Sequence, residues 1–340
     1  MQKVQWMTPK PALSNSSIEA GELAEQRGEY LEAAGAYETA LDDPDPLVVA
    51  MAHNCLGKLA WQQGQYDASY AAFEKARSIA TRHDNLDARA RAEIGLGNVH
   101  YAKGEYAKAR ELYDAVRRFA VSPGVRGKVL LNLGIIANIE GDFEDADRSY
   151  RRAIKAFAEA SDSFGQAQAY HNLGMLHADR LEWDEADGAY AKALEFAGET
   201  GNREMVGLVT MNRSELSCAM GRYQEAIVRC DEALSVFAEI GAEVLRGTTL
   251  RWKGRALREL AQYPLSERAL TESMRIAHRA QARLLEGEAM QELGATLALS
   301  GDKSGAKKWM RRAHERFISL GATREVEETL ADLKALEDGA

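Results

Sequence analysis

Asn132, Asn172 and Asn212 recur at a strict step of 40 residues, each just ahead of Leu133, Leu173 and Arg213. Asparagine is a poor helix-interior residue, so three equivalent copies need a reason. A side-chain amide offers a donor and an acceptor together and can hold a peptide main chain whatever side chains that peptide carries. The alternative is that each amide bonds a neighbouring helix and fixes packing. Helical spacing places Leu131, Ile135 and Ile139 around the first asparagine, and Met175 and Met211 continue that surface. They read equally as adaptable apolar anchors or as core between helices. Further on, Arg251, Arg255 and Arg258 follow at four and three beside Trp252. Such a stripe can hold carboxylates in bidentate fashion, although Glu259 is placed to neutralise part of it. Arg91, Asn98 and Lys128 extend the polar lining toward the N-terminal side.

Catalytic chemistry finds no footing. The seven histidines, His53, His83, His100, His171, His177, His278 and His314, are scattered. The closest pair, His171 and His177, does not share a helix face as a metal pair would. No nucleophile elbow, phosphate loop, zinc-protease helix or dinucleotide fingerprint occurs. The expectation is therefore a protein that is not an enzyme, with no cofactor and no metal. Cys55, Cys218 and Cys230 have no ligand or redox spacing and read as small buried hydrophobes of a reducing compartment. A net charge of −9 over 340 residues argues against nucleic acid or an anionic membrane as partner. No run approaches the roughly 20 apolar residues of a membrane span, and the start of the chain lacks the apolar core of a signal peptide. These features predict a cytoplasmic protein.

The elements that must position these residues are helices in pairs. Residues 130–160 read as two helices joined at Glu140-Gly141-Asp142, with Gly141 left-handed and Asp142 capping the second. That pattern fits eight times. The residue opening each second helix falls at Tyr30, Tyr66, Tyr106, Phe143, Trp183, Tyr223, Tyr263 and Lys303, at steps of 36, 40, 37, 40, 40, 40 and 40. A glycine stands two residues before it in six copies. Leu181 and Ala261 replace it in the other two, which predicts two slightly different turns. The first helices carry a small central residue at Gly21, Gly57, Gly97, Gly134, Gly174, Ser214, Gly254 and Gly294. The second helices answer with a small residue and then a large one, as with Ala146 and Tyr150. An intrahelical glycine costs about 1 kcal/mol against alanine, so its recurrence predicts close approach of backbones.

Leu133-Gly134, Gly141, Phe143, Ala146, Tyr150 and Ala153 resemble the tetratricopeptide repeat. The 40-residue step resembles the longer repeats of kinesin light chains, spindle-orientation adaptors and bacterial peptide-sensing regulators. The resemblance implies an all-α, right-handed solenoid of about eight helix-turn-helix repeats over residues 15–320. A flexible tail at 1–14 precedes it, and a capping helix and tail at 321–340 follow. It further implies a concave groove lined by the first helices, and, from the adaptors, an asparagine ladder that holds a peptide main chain. The expected function is non-catalytic binding of a peptide segment of a partner protein. The alternatives are a subunit that inhibits or positions a separate enzyme, a peptide-responsive regulator, or self-association through an open end.

Overall fold

The computed structural model describes residues 16–119 and 122–338, which form seventeen α-helices and a short 3-10 turn at Ala40–Asp42, with no strand among them. In order these are α1 (Ser16–Gln26), α2 (Tyr30–Thr39), α3 (Pro46–Gln62), α4 (Tyr66–Arg82), α5 (Leu86–Ala102) and α6 (Tyr106–Phe119). There follow α7 (Pro123–Ile139), α8 (Phe143–Glu159), α9 (Ser163–Asp179), α10 (Trp183–Glu199), α11 (Arg203–Ala219) and α12 (Tyr223–Glu239). The last are α13 (Glu243–Glu259), α14 (Tyr263–Arg279), α15 (Arg283–Ser300), α16 (Lys303–Leu320) and α17 (Thr323–Asp338). The tail predicted at 1–14 lies outside the described residues. The chain falls into two compact units, divided in sequence inside α9 between Leu176 and His177.

From α7 onward a helix begins every 20 residues. The 40-residue repeat is therefore two half-steps with the same turn in each. Within a hairpin, Gly141 adopts φ 80° and the Asp142 N–H closes on the Ala137 carbonyl at 2.9 Å. Between hairpins, Ser161 adopts φ 54° and the Asp162 N–H closes on the Phe157 carbonyl at 2.9 Å. Asp142 and Asp162 then cap the next helices, accepting from Asp145 N–H (3.0 Å) and Gly165 N–H (2.8 Å). Leu181 and Ala261, expected to alter their turns, do not. At φ 61° and 57° they take the left-handed conformation that glycine takes elsewhere, because the flanking helices fix the turn.

Consecutive helices pack in each unit, and so do alternate ones: α3 on α5 and α5 on α7 in the N-terminal unit, α11 on α13 and α13 on α15 in the C-terminal one. The recurrent glycines make room less for a facing backbone than for a ring. A Cβ on Gly134 would meet Tyr150 at 2.6 Å, and one on Gly97 would meet Tyr113 at 2.4 Å. Phe73 is held between Gly57 and Gly95, and Phe157 between Gly127 and Gly165. Tyr113, Tyr150, Phe73 and Phe157 are all at most 2% exposed. The series Phe157, Phe237 and Phe317, seated on Gly127, Gly207 and Gly287 at intervals of 80 residues, escapes a search for a 40-residue period.

A left-handed non-glycine residue costs about 1–2 kcal/mol, partly offset by the backbone freedom a glycine loses on folding. Leu181→Gly and Ala261→Gly should therefore each raise stability by about 0.5–1 kcal/mol in urea titration. Gly165→Leu, which drives a side chain into Phe157, should lower it by about 3 kcal/mol or more.

Candidate peptide-binding faces

In the N-terminal unit the predicted lining residues sit on α5, α7 and α9. Asn98 is buried, with 2% of its surface exposed. Its Oδ1 accepts from Tyr113 Oη (2.5 Å) and from Asn132 Nδ2 (3.0 Å), and its main-chain carbonyl accepts from Trp61 Nε1 (3.3 Å). Asn132 thus bonds a neighbouring helix and is itself buried. Asn172 is half-buried, and its Nδ2 donates to the Gln168 carbonyl of its own helix at 2.8 Å. Ile135 borders a recess of about 10 Å³ together with Asn98, Tyr101, Tyr113 and Asn132, room for about one water. Ile139 is exposed and Met175 half-buried.

Lys128 and Arg91 lie at equivalent places on α7 and α5, six residues before Gly134 and Gly97. Burial lowers the Arg91 guanidinium, although Asp87 and Glu22 work against it. Burial also draws the Lys128 amine down from 10.5 to about 8; Arg91 and Lys58 add to this and Asp162 opposes it.

In the C-terminal unit Asn212 is half-buried on α11. Met211 packs into a core cluster with Ala233 and Phe237, since its place on α11 faces α12. Trp252 is buried, with the guanidinium of Arg251 4.3 Å and that of Arg255 5.5 Å from its ring centre. The carboxylates that meet Arg251 and Arg255 come from α15. Glu288 stands 3.4 Å from Arg251, Glu292 4.0 Å from Arg255, and Arg258 is shared between Glu292 and Glu259. The arginine stripe is thus largely neutralised by glutamates more than thirty residues away, which a local reading of the helix could not show.

The histidines take structural places. His100 Nδ1 meets Glu105 at 2.5 Å and His177 Nδ1 meets Glu182 at 2.6 Å, so in both the end of a first helix is tied to the turn that follows. Burial lowers His171 to about 4. Among the described residues no group of histidine, cysteine and acidic side chains is arranged to hold a metal, and no helix is long and apolar enough to cross a membrane. A cleft of about 210 Å³ lined by Val116, Val125, Val129 and Leu130 together with Arg117, Arg126 and Arg152 contains none of the predicted residues.

The geometry is that of an all-α repeat solenoid built from tetratricopeptide-type hairpins. The tetratricopeptide repeat model matches residues 48–120 and 126–199. The signal-transduction ATPase with a tetratricopeptide repeat sensor from Pyrococcus horikoshii superposes with a TM-score of 0.63 at 16% identity, over 96% of this chain and 53% of that one. A Rap protein complexed with competence and sporulation factor superposes with a TM-score of 0.60 at 12% identity, over 95% of each chain. The regulatory protein AfsR of Streptomyces griseus is 26% identical over 236 residues, which are 59% of this chain but only 24% of AfsR. The fold and the regulatory relatives support an interaction and regulatory scaffold.

Lys128 supplies a pH test. Its folded pKa lies below its unfolded one, so the cost of burying the charge is fully present below pH 8 and fades as pH rises toward 10.5. Lys128→Met should accordingly melt about 2–4 °C above the parent at pH 7, with the gap closing toward pH 10. A lower melting temperature at pH 7 would show that Lys128 stabilises the fold.

Proposed function

We propose that the chain is a non-catalytic scaffold that takes a peptide segment of a partner protein against the first-helix face of its hairpins. The observation that carries this reading is a division of labour in the N-terminal unit. The second helices commit their large residues to the glycine seats. The first helices hold amides and aliphatics that packing leaves half-buried or exposed, namely Asn172, Ile135, Met175 and Ile139. Amides supply main-chain contacts and the aliphatics supply anchors. Asn172 bonds within its own helix and can turn to a ligand without releasing a neighbour, whereas Asn132 holds Asn98 in place. A regulator whose groove responds to a signalling peptide, or that restrains a separately encoded enzyme, is the narrower form, favoured by the regulatory relative. A reducing, cytoplasmic setting suits the three unpaired cysteines.

Affinity capture followed by mass spectrometry tests this reading, comparing the parent with an Ile139→Glu/Asn172→Leu variant of the same helicity. A partner recovered at least tenfold less by the variant is the expected result. Equal recovery would place the contact off this face. Asn132→Ala is unsuitable as a probe, since it also removes a hydrogen bond from buried Asn98.

A further inference from the structure

One second helix is shorter than its neighbours. α6 has 14 residues where α4 and α8 each have 17, and α7 accordingly begins three residues early in the 37-residue step from Tyr106 to Phe143. The cleft of about 210 Å³ lies where α6 ends, between its last turn and the first two turns of α7, with Arg152 of α8 beside them. A full-length second helix would carry a further turn there. Val116, Val125, Val129 and Leu130 form the apolar wall and are themselves buried. Lys128, Asn132 and Ile135 of the same α7 lie outside the cleft, so it is separate from the proposed peptide-binding face.

Charge supplies a second, independent observation. Arg117, Arg126 and Arg152 all border the cleft, and no carboxylate lines it. Arg117 is answered within its own helix by Asp114 at 2.8 Å, and Arg126 by Glu159 at 2.5 Å. Arg152 makes no ion pair among the described residues. One guanidinium is thus left without a counter-charge beside an aliphatic wall. A guanidinium takes a carboxylate through two parallel N–H···O bonds, and the wall favours hydrocarbon over water. A phosphate would bring nearly two charges to one unanswered cation and nothing for the wall. Size limits the apolar part: a cavity of about 150 Å³ takes up benzene, so 210 Å³ suits one ring or a short chain.

We propose that this cleft binds a small organic acid, its apolar body against Val116, Val125, Val129 and Leu130 and its carboxylate on Arg152. Arg117 and Arg126 keep their own carboxylates and lend the aliphatic parts of their side chains to the border. The site goes beyond the peptide-binding reading and does not depend on it, since the two share no residue.

Titration calorimetry on the full chain tests this with phenylacetate and hexanoate, against phenylacetamide and hexanamide as neutral counterparts. Each acid should bind at one site with a dissociation constant of about 1 mM or tighter, within reach of ligands this small. The amides should bind at least tenfold more weakly. Arg152→Met should weaken both acids at least tenfold while melting within about 2 °C of the parent, because its exposed side chain has no partner to lose. Leu130→Phe, which fills the cleft, should weaken them as much; if that variant does not fold, the amides and Arg152→Met still decide. No saturable binding of either acid would overturn the site. Acids and amides binding alike, or acids binding Arg152→Met as well as the parent, would overturn the role of the guanidinium. Inorganic phosphate displacing the acids at equal concentration would make this a general anion site and overturn the assignment. So would an N-acetylated dipeptide ending in leucine that binds tenfold more tightly than either acid, since the cleft would then take the C-terminus of a protein chain. Each of these failures leaves the affinity-capture test of the first-helix face untouched.

Discussion

A ring set into the place of a missing Cβ is the contact on which the architecture depends. Tyr150 over Gly134 and Phe157 between Gly127 and Gly165 bring helices closer than any side chain at those glycines would allow. Because each ring is almost wholly buried, the gain in buried apolar area outweighs the propensity lost by a glycine in a helix. The contact also fixes register, since a ring that lies over a glycine cannot slide along the helix without meeting a Cβ. Phe73, set against Gly57 on α3 and Gly95 on α5, aligns the first helices of two successive hairpins in this way.

The same contact explains which part of the molecule is legible in sequence. Glycine and an aromatic at fixed offsets leave few other packings, so the number, length and pairing of the helices follow from residue types alone. The seat of the large residue on each second helix is not itself readable in sequence: Phe73 lies between Gly57 of its own hairpin and Gly95 of the next. Tyr113 and Tyr150 sit on the glycine of their own hairpin alone. The 20-residue half-step is less visible because only some turns between hairpins carry glycine, at Gly201, Gly241 and Gly321, while Asp84, Ser161 and Gln281 stand in others and those within hairpins mostly carry glycine.

Binding residues are read less well, since an amide or a guanidinium has several satisfactory partners and only three dimensions choose among them. Two asparagines of identical repeat position behave differently: Asn132 bonds Asn98 across to α5, and Asn172 bonds its own helix. Gly95 stands on α5 where Asn132 stands on α7, and it seats Phe73. The amide that Asn132 meets therefore comes from Asn98, one turn further along. Arg251 and Arg255 form a clear stripe, yet their charge is set by Glu288 and Glu292, which belong to another helix. Lys58 and Gln62 carry no repeat signature at all, and their shared partner Glu25 is apparent only once α3 lies beside α1.

The left-handed turns have a consequence for how such a chain changes over time. Aspartate, serine, leucine, alanine and glutamine all occupy a conformation that isolated peptides reserve for glycine. The helices on either side impose it, so drift at these sites is tolerated while both neighbours persist. Recognisable repeat signatures can then erode one by one without any loss of shape. A lineage of this kind would keep its architecture long after its members had ceased to look related, and its oldest repeats would be those hardest to find by motif.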